Sequence, residues 1–139
     1  MLRKKKENMS ANTSKKLYIY SDYKNLDVDE YNVPQPDLVF VSKNKKHLIT
    51  DDGIMGPPDL MIEIISPTSI IRDRVEKKKL YKQYQIPEYW IVDIKYKSIE
   101  VYFFEPEDYE LFSHATEQGK IQSKVLEKYE LDLKDVFED

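Results

Sequence analysis

Glu63 interrupts the run Leu60-Met-Ile-Glu-Ile-Ile65, which is otherwise wholly apolar. An uncompensated carboxylate in a strand buried on both faces costs several kcal/mol. Something must therefore neutralise it. The runs 38–41 and 60–65 are separated by a connector of about 18 residues and can pair antiparallel, which sets the start of the first beside the end of the second. Pairing residue 40 with residue 60 places Asp37 opposite Glu63, and cross-strand partners share a face. Two close carboxylates repel, so such a pair binds a cation, shares a proton or meets a basic side chain.

Each option carries its own chemistry. The chain has no cysteine and only His47 and His114, so any metal is held mainly by oxygen. An oxygen site with few ligands suits magnesium or manganese, which keep several waters and are often completed by substrate phosphate oxygens. That points to phosphodiester chemistry. A basic partner can come from the following helix, where Asp73, Lys77 and Tyr81 stand at i, i+4 and i+8 on one face. Arg72, Arg74, Lys78, Lys79 and Lys82 add positive charge there, and Lys77 is the best candidate to face inward.

The elements that must hold these residues are short and well punctuated. Leu17 to Tyr20 reads as a strand, and Ser21 to Val33, with four acidic residues, reads as an exposed connection. Leu38 to Val41 and Leu60 to Ile65 follow Pro34, Pro36, Pro57 and Pro58 and are too short for helices. Both are apolar on both faces, the pattern of central strands covered on each side, so helices are expected to flank the sheet. Ser66 to Ser69 supplies capping side chains for a helix from about Ile71 to Tyr84, which Ile86-Pro87 stops. Tyr89 to Asp93 and Ser98 to Phe104 are further strands, and Glu110 to Ser113 can pair with the latter as a hairpin. Leu131, Leu133, Val136 and Phe137 have the spacing of a short amphipathic turn that caps the core. The 42–59 connector is long for a structureless loop and is a candidate mobile segment that contacts substrate.

The 139 residues suffice for one compact domain and are short for two. Charged residues make up 35% and hydrophobic ones 40%, excluding collagen-like and low-complexity classes. No apolar run approaches a membrane span, and the basic start lacks the apolar core of a secretory signal, so a cytoplasmic protein without membrane partners is the default expectation. Residues 1–16 hold six basic groups against Glu7 and read as a disordered basic tail ahead of a single domain over 17–139. From Glu105 onward, eleven acidic groups face four lysines. The net charge of −4 does not favour DNA on bulk electrostatics, which leaves local charge near a cleft to do so.

The strings Pro36-Asp37 to Val41, Gly56-Pro-Pro-Asp to Pro67, Arg72-Asp-Arg-Val-Glu-Lys77 with Tyr81, and Ile86-Pro-Glu-Tyr-Trp-Ile-Val-Asp93 together resemble the bacterial Uma-type putative restriction endonuclease family. The likeness runs through Val101-Tyr102 to Leu131–Phe137 and spans roughly residues 30–137. It implies the PD-(D/E)XK nuclease fold, an α/β (α+β) architecture with a mixed central sheet and flanking helices. The resemblance also implies a metal-dependent DNA endonuclease that uses magnesium or manganese. Asp37 and Glu63 would be its metal-binding carboxylates, with the Ile64 backbone carbonyl as a further ligand and Lys77 as the catalytic lysine. The lysine usual in the wider superfamily two positions after the glutamate is here Ile65, and Lys77 takes the position that this family uses instead. Family members generally carry fifty or more further N-terminal residues, so the chain reads as N-terminally shortened. A sheet face left bare by that shortening would favour a homodimer.

Other readings stand beside these. Asp37 can cap the turn before its strand, and Glu63 can be neutralised by Lys77 in a structural ion pair without metal. Asp59 reads as a turn residue, Asp73 as a first-turn carboxylate favoured by the helix dipole, and lysines 77–79 as a solvated face. Tyr81 and Gln83 are candidates for ordering the site, and Asp93 for a contact at the end of its strand. The opposing functional class is an inactive, truncated module serving dimerisation or nucleic-acid binding. A phosphatase-like hydrolase of small phosphoesters would use the same ligands.

Overall fold

The computed structural model describes residues 7–9, 17–21, 37–51, 53–66 and 71–137. Its centre is a seven-stranded mixed sheet in the order β1-β2-β3-β6-β7-β8-β9. The strands are β1 (Glu7–Met9), β2 (Leu17–Ser21), β3 (Leu38–Ser42), β6 (Leu60–Ile65), β7 (Glu88–Asp93), β8 (Ser98–Phe104) and β9 (Tyr109–Thr116). Neighbours are antiparallel except β6 and β7, which run parallel. That pair needs a crossover, and α1 (Ile71–Gln83) lies in the connection.

The expected strands and helix all form. Two structures occupy stretches read differently from sequence. Three residues of the expected tail, Glu7–Met9, pair antiparallel with Leu17, Tyr18 and Ile19 of β2, a backbone interaction that composition does not report; the rest of 1–16 lies outside the described residues. The 42–59 connector carries structure of its own: a 3-10 helix over Lys43–Leu48, and a small hairpin of β4 (Ile49–Thr50) and β5 (Gly53–Ile54). Ile54 is fully buried, with Leu48 and Ile49 packed on the same cluster. Asp59 ties the segment down by accepting the Ser42 N–H at 2.6 Å and pairing with Lys45 at 3.4 Å. A Cβ at Gly56 would meet Leu48 Cδ1 at 2.9 Å, so any larger residue there obliges the Leu48 side chain to shift.

Alternation along the strands divides the core in two. On one face Val39, Val41, Met61, Tyr89 and Ile91 pack with Tyr81 of α1, Ile54 and Tyr109. On the other, Phe40, Leu60, Ile62, Trp90, Val92, Ile99 and Val101 pack against Ile121, Leu126 and Leu133. Helices were expected on both faces. Among the described residues the second face is instead covered by a hairpin of β10 (Lys120–Gln122) and β11 (Glu130–Asp132), the segment between them, and the four-residue α2 (Lys134–Phe137). Burial requires apolar cover and not a particular element. Ile121, Leu126 and Leu133 are each at most 2% exposed, and each full burial contributes about 1.5–3 kcal/mol. Val136, expected in the cap, is exposed. Both faces of the sheet carry apolar cover around β6 and β7, so the structure gives the homodimer expectation no support.

The end of α1 fixes what the helix presents to the sheet. Ile86 N–H donates to the Tyr81 carbonyl at 3.1 Å and Gln85 N–H to the Lys82 carbonyl at 3.0 Å, with Gln85 at φ 53°. This is a Schellman ending, in which a left-handed residue closes the last turn. Ile86, fully buried, supplies the apolar anchor that normally accompanies it.

Candidate functional site

The observed register pairs Phe40 with Leu60, Val39 with Met61 and Leu38 with Ile62. One step further sets Asp37 opposite Glu63, the arrangement expected from the connector. Asp37 is exposed, and its Oδ2 accepts the Ile64 N–H at 2.7 Å. Glu63 is 7% exposed, near the C-terminal end of β6 and on the face that α1 covers. Lys77 Nζ donates to Glu63 Oε2 at 3.2 Å, and the Tyr81 hydroxyl donates to Oε1. Lys77 and Tyr81 are one helical turn apart, so one face of α1 delivers both donors.

The electrostatics follow from burial. Loss of solvent pushes the Glu63 carboxyl above its ordinary value of 4.5, opposed by the Tyr81 hydrogen bond and by the charge and hydrogen bond of Lys77, while Asp37 adds to the rise. Burial, and then the adjoining Glu63 charge, push the Tyr81 phenol up as well, so it stays a donor. Glu63 is therefore desolvated yet held by one cation and one hydroxyl, a balance that a nearby positive charge shifts readily toward the ionised form. Each of its oxygens accepts one donor and has capacity for a second interaction.

Two carboxylates, one of them exposed, fit the donor set of a magnesium-type ion that keeps most of its waters. Among the described residues no three histidine, aspartate or glutamate side chains converge as a metal cluster. Ile64 sends its N–H to Asp37, and its side chain, 43% exposed, lies on the opposite face from Glu63 by strand alternation. Asp93 Oδ1 accepts the Tyr96 N–H at 3.2 Å and organises the turn after β7. Gln83 is exposed at the end of α1. The side chains of Arg72 and Asp73 lie outside the described residues.

Most of the basic residues of α1 are engaged with the sheet. Arg74 approaches Glu100 at 3.9 Å, Lys78 Nζ sits 4.8 Å from the Tyr102 ring centroid, and Lys82 pairs with Asp108 at 3.5 Å. Spaced at i, i+4 and i+8, they form a stripe that docks the helix on β8 and the turn beyond it. Of the 77–79 group Lys79 alone is exposed, and Lys77 and Lys78 are half-buried. Sequence reasoning did not find this stripe, because its acidic and aromatic partners lie some 25 residues downstream. It also passed over Glu88, a fully buried carboxylate on the other face.

The family described as Uma2, "Putative restriction endonuclease", matches residues 4–134, and the chain belongs to that family. A crystal structure from Anabaena variabilis ATCC 29413, described as a putative nuclease belonging to DUF820, superposes with a TM-score of 0.56 at 18% identity, covering 76% of this chain. That likeness concerns the fold. The chain spans 60% of the length of that structure. Comparison with curated proteins gave no match. Among the described residues no helix is long and apolar enough to cross a membrane.

Proposed function

We propose that this member of the Uma2 family is a metal-dependent DNA endonuclease that hydrolyses phosphodiester bonds at Asp37, Glu63 and Lys77. The observation that carries the reading is their convergence: a strand pair brings two carboxylates together, and the crossover helix delivers a lysine onto the buried one. Asp37 and Glu63 would hold Mg2+ or Mn2+, with the Ile64 carbonyl beside them. The ion, when bound, supplies Lewis-acid polarisation of the phosphate and a more acidic water. Lys77, 43% exposed along its side chain, reaches from the Glu63 carboxylate toward solvent. There it orients the attacking water and offsets charge that develops on the phosphate. Tyr81 holds the Glu63 carboxylate in one rotamer, which keeps its second oxygen from swinging away.

One observation favours the competing reading of a non-catalytic nucleic-acid-binding module. Both Glu63 oxygens are already engaged by Lys77 and Tyr81, as in a structural ion pair. Cleavage of supercoiled plasmid separates the two. The purified chain is expected to nick DNA with magnesium or manganese and to stop on chelation. Glu63→Gln and Lys77→Ala, prepared identically and folded, are expected to be inactive. Equal inactivity of all three folded proteins would reject the endonuclease and move the binding module ahead.

A further inference from the structure

The turn between β7 and β8, residues 94–97, reads Ile-Lys-Tyr-Lys. All four residues are exposed, Tyr96 by 61% and Ile94 by 55%. Turns of this kind usually recruit glycine, asparagine or aspartate, yet none is present here, and Lys97 holds φ 50°, a conformation glycine would adopt without strain. The turn is nonetheless pinned. Asp93 Oδ1 accepts the Tyr96 N–H at 3.2 Å, the Lys97 carbonyl accepts the Glu117 N–H at 2.7 Å, and Ile94 N–H reaches the Ile65 carbonyl at 3.4 Å. Side chains that neither build the turn nor pack in the core are thus presented on a fixed backbone. Lys95 Nζ lies 5.2 Å from the Tyr96 ring centroid, so the ring and a cation are offered together.

Its position relates the turn to the candidate site. β6 and β7 are parallel, Glu63 is level with Ile91, and Ile65 is level with Asp93. The turn therefore projects beyond the same strand ends that carry the two carboxylates, the edge where ligands of such sheets bind. Two strand residues and up to two more of the turn put Tyr96 roughly 10–13 Å past the level of Glu63.

We infer that this turn is a contact for unpaired nucleic acid: Tyr96 stacks on an exposed base, and Lys95 and Lys97 hold the flanking phosphates. An aromatic ring can stack only where a base face is open, which favours single-stranded or frayed substrate over intact duplex. The inference rests on the nuclease reading for its substrate class, but its test needs no catalysis. Binding of a fluorescent 20-nucleotide single strand, and of the same sequence as duplex, is followed by anisotropy using the full chain carrying Glu63→Gln. Tyr96→Ala added to that background is expected to weaken single-strand binding about 10-fold, with Tyr96→Phe restoring it. Lys95→Ala with Lys97→Ala is expected to lower the salt slope of log Kd by about 1–2. Unchanged binding in Tyr96→Ala, or duplex held more tightly than single strand, would overturn the inference while leaving the endonuclease intact. Absence of nucleic-acid binding in every protein would overturn it too, and plasmid cleavage by the unmodified chain would then show whether the nuclease reading falls with it.

Discussion

Among the described residues two glutamates are buried, on opposite faces and at opposite ends of adjacent parallel strands, and they are held in different ways. Glu88, fully buried at the start of β7, accepts Trp90 Nε1–H at 2.7 Å, the Ser123 hydroxyl at 2.6 Å, and the N–H groups of Lys124 and Val125 at 2.8 and 3.1 Å. Four donors, two of them backbone, surround it with no cationic side chain among them. It clamps the segment after β10 onto the sheet. Glu63 has only a hydroxyl and a lysine, both from one helix, with a second carboxylate on the neighbouring strand. A buried carboxylate enclosed by backbone donors is a structural fixture, whereas one balanced by a single half-exposed cation beside another carboxylate can exchange partners.

The contrast is broken most severely at Glu88. Glu88→Ala strands four donors, two of them buried and two partly so, and is expected to cost about 3–5 kcal/mol, roughly 10–15 °C in Tm, measured by thermal denaturation. Glu63→Gln is expected to stay within about 1 kcal/mol of the unmodified protein while lowering metal-dependent cleavage at least about 100-fold. A reversal of the two stability effects would assign the structural role to the wrong glutamate. Tyr81→Phe, which removes one of Glu63's two donors and keeps the ring packing, is expected to reduce cleavage about 10-fold, read from initial nicking rates.

A pH titration sharpens the comparison further. Because burial holds the Glu63 carboxyl above its ordinary value of 4.5, the folded state keeps a proton that the unfolded chain has already lost. Just above pH 4.5, metal-free protein therefore binds more protons folded than unfolded, and stability falls as pH rises through that window. Urea denaturation in chelator is expected to show this decline, and Glu63→Gln to flatten it. The smallest effect belongs to the helix end that positions Tyr81. Gln85→Gly relieves the left-handed residue and is expected to stabilise the fold by about 0.5–1 kcal/mol without changing cleavage.

The same contrast explains what the sequence revealed. Glu63 was legible because a charge inside an apolar strand is conspicuous, and Asp37 followed from the pairing register alone. Lys77 and Tyr81 followed from helical spacing, although the Tyr81 bond to Glu63 needed the structure. Glu88 was not legible: between Pro87 and Tyr89 it reads as the end of a turn, and its partners stand 35 to 37 residues away in a stretch without periodicity. The covering hairpin of β10 and β11 escaped for a related reason, since isolated apolar residues such as Ile121 and Leu126 announce burial only once the sheet beneath them exists. Local pattern thus exposed the candidate site and hid much of what braces it.

The proposed metal site joins Asp37 and Glu63 and leaves out Glu88. Titration with Mn2+, followed by electron paramagnetic resonance of the free ion, tests this directly. One bound ion per chain is expected, lost in Asp37→Asn and in Glu63→Gln and retained in Glu88→Gln. Binding that survives both site substitutions, or is absent from the unmodified folded chain, would contradict it.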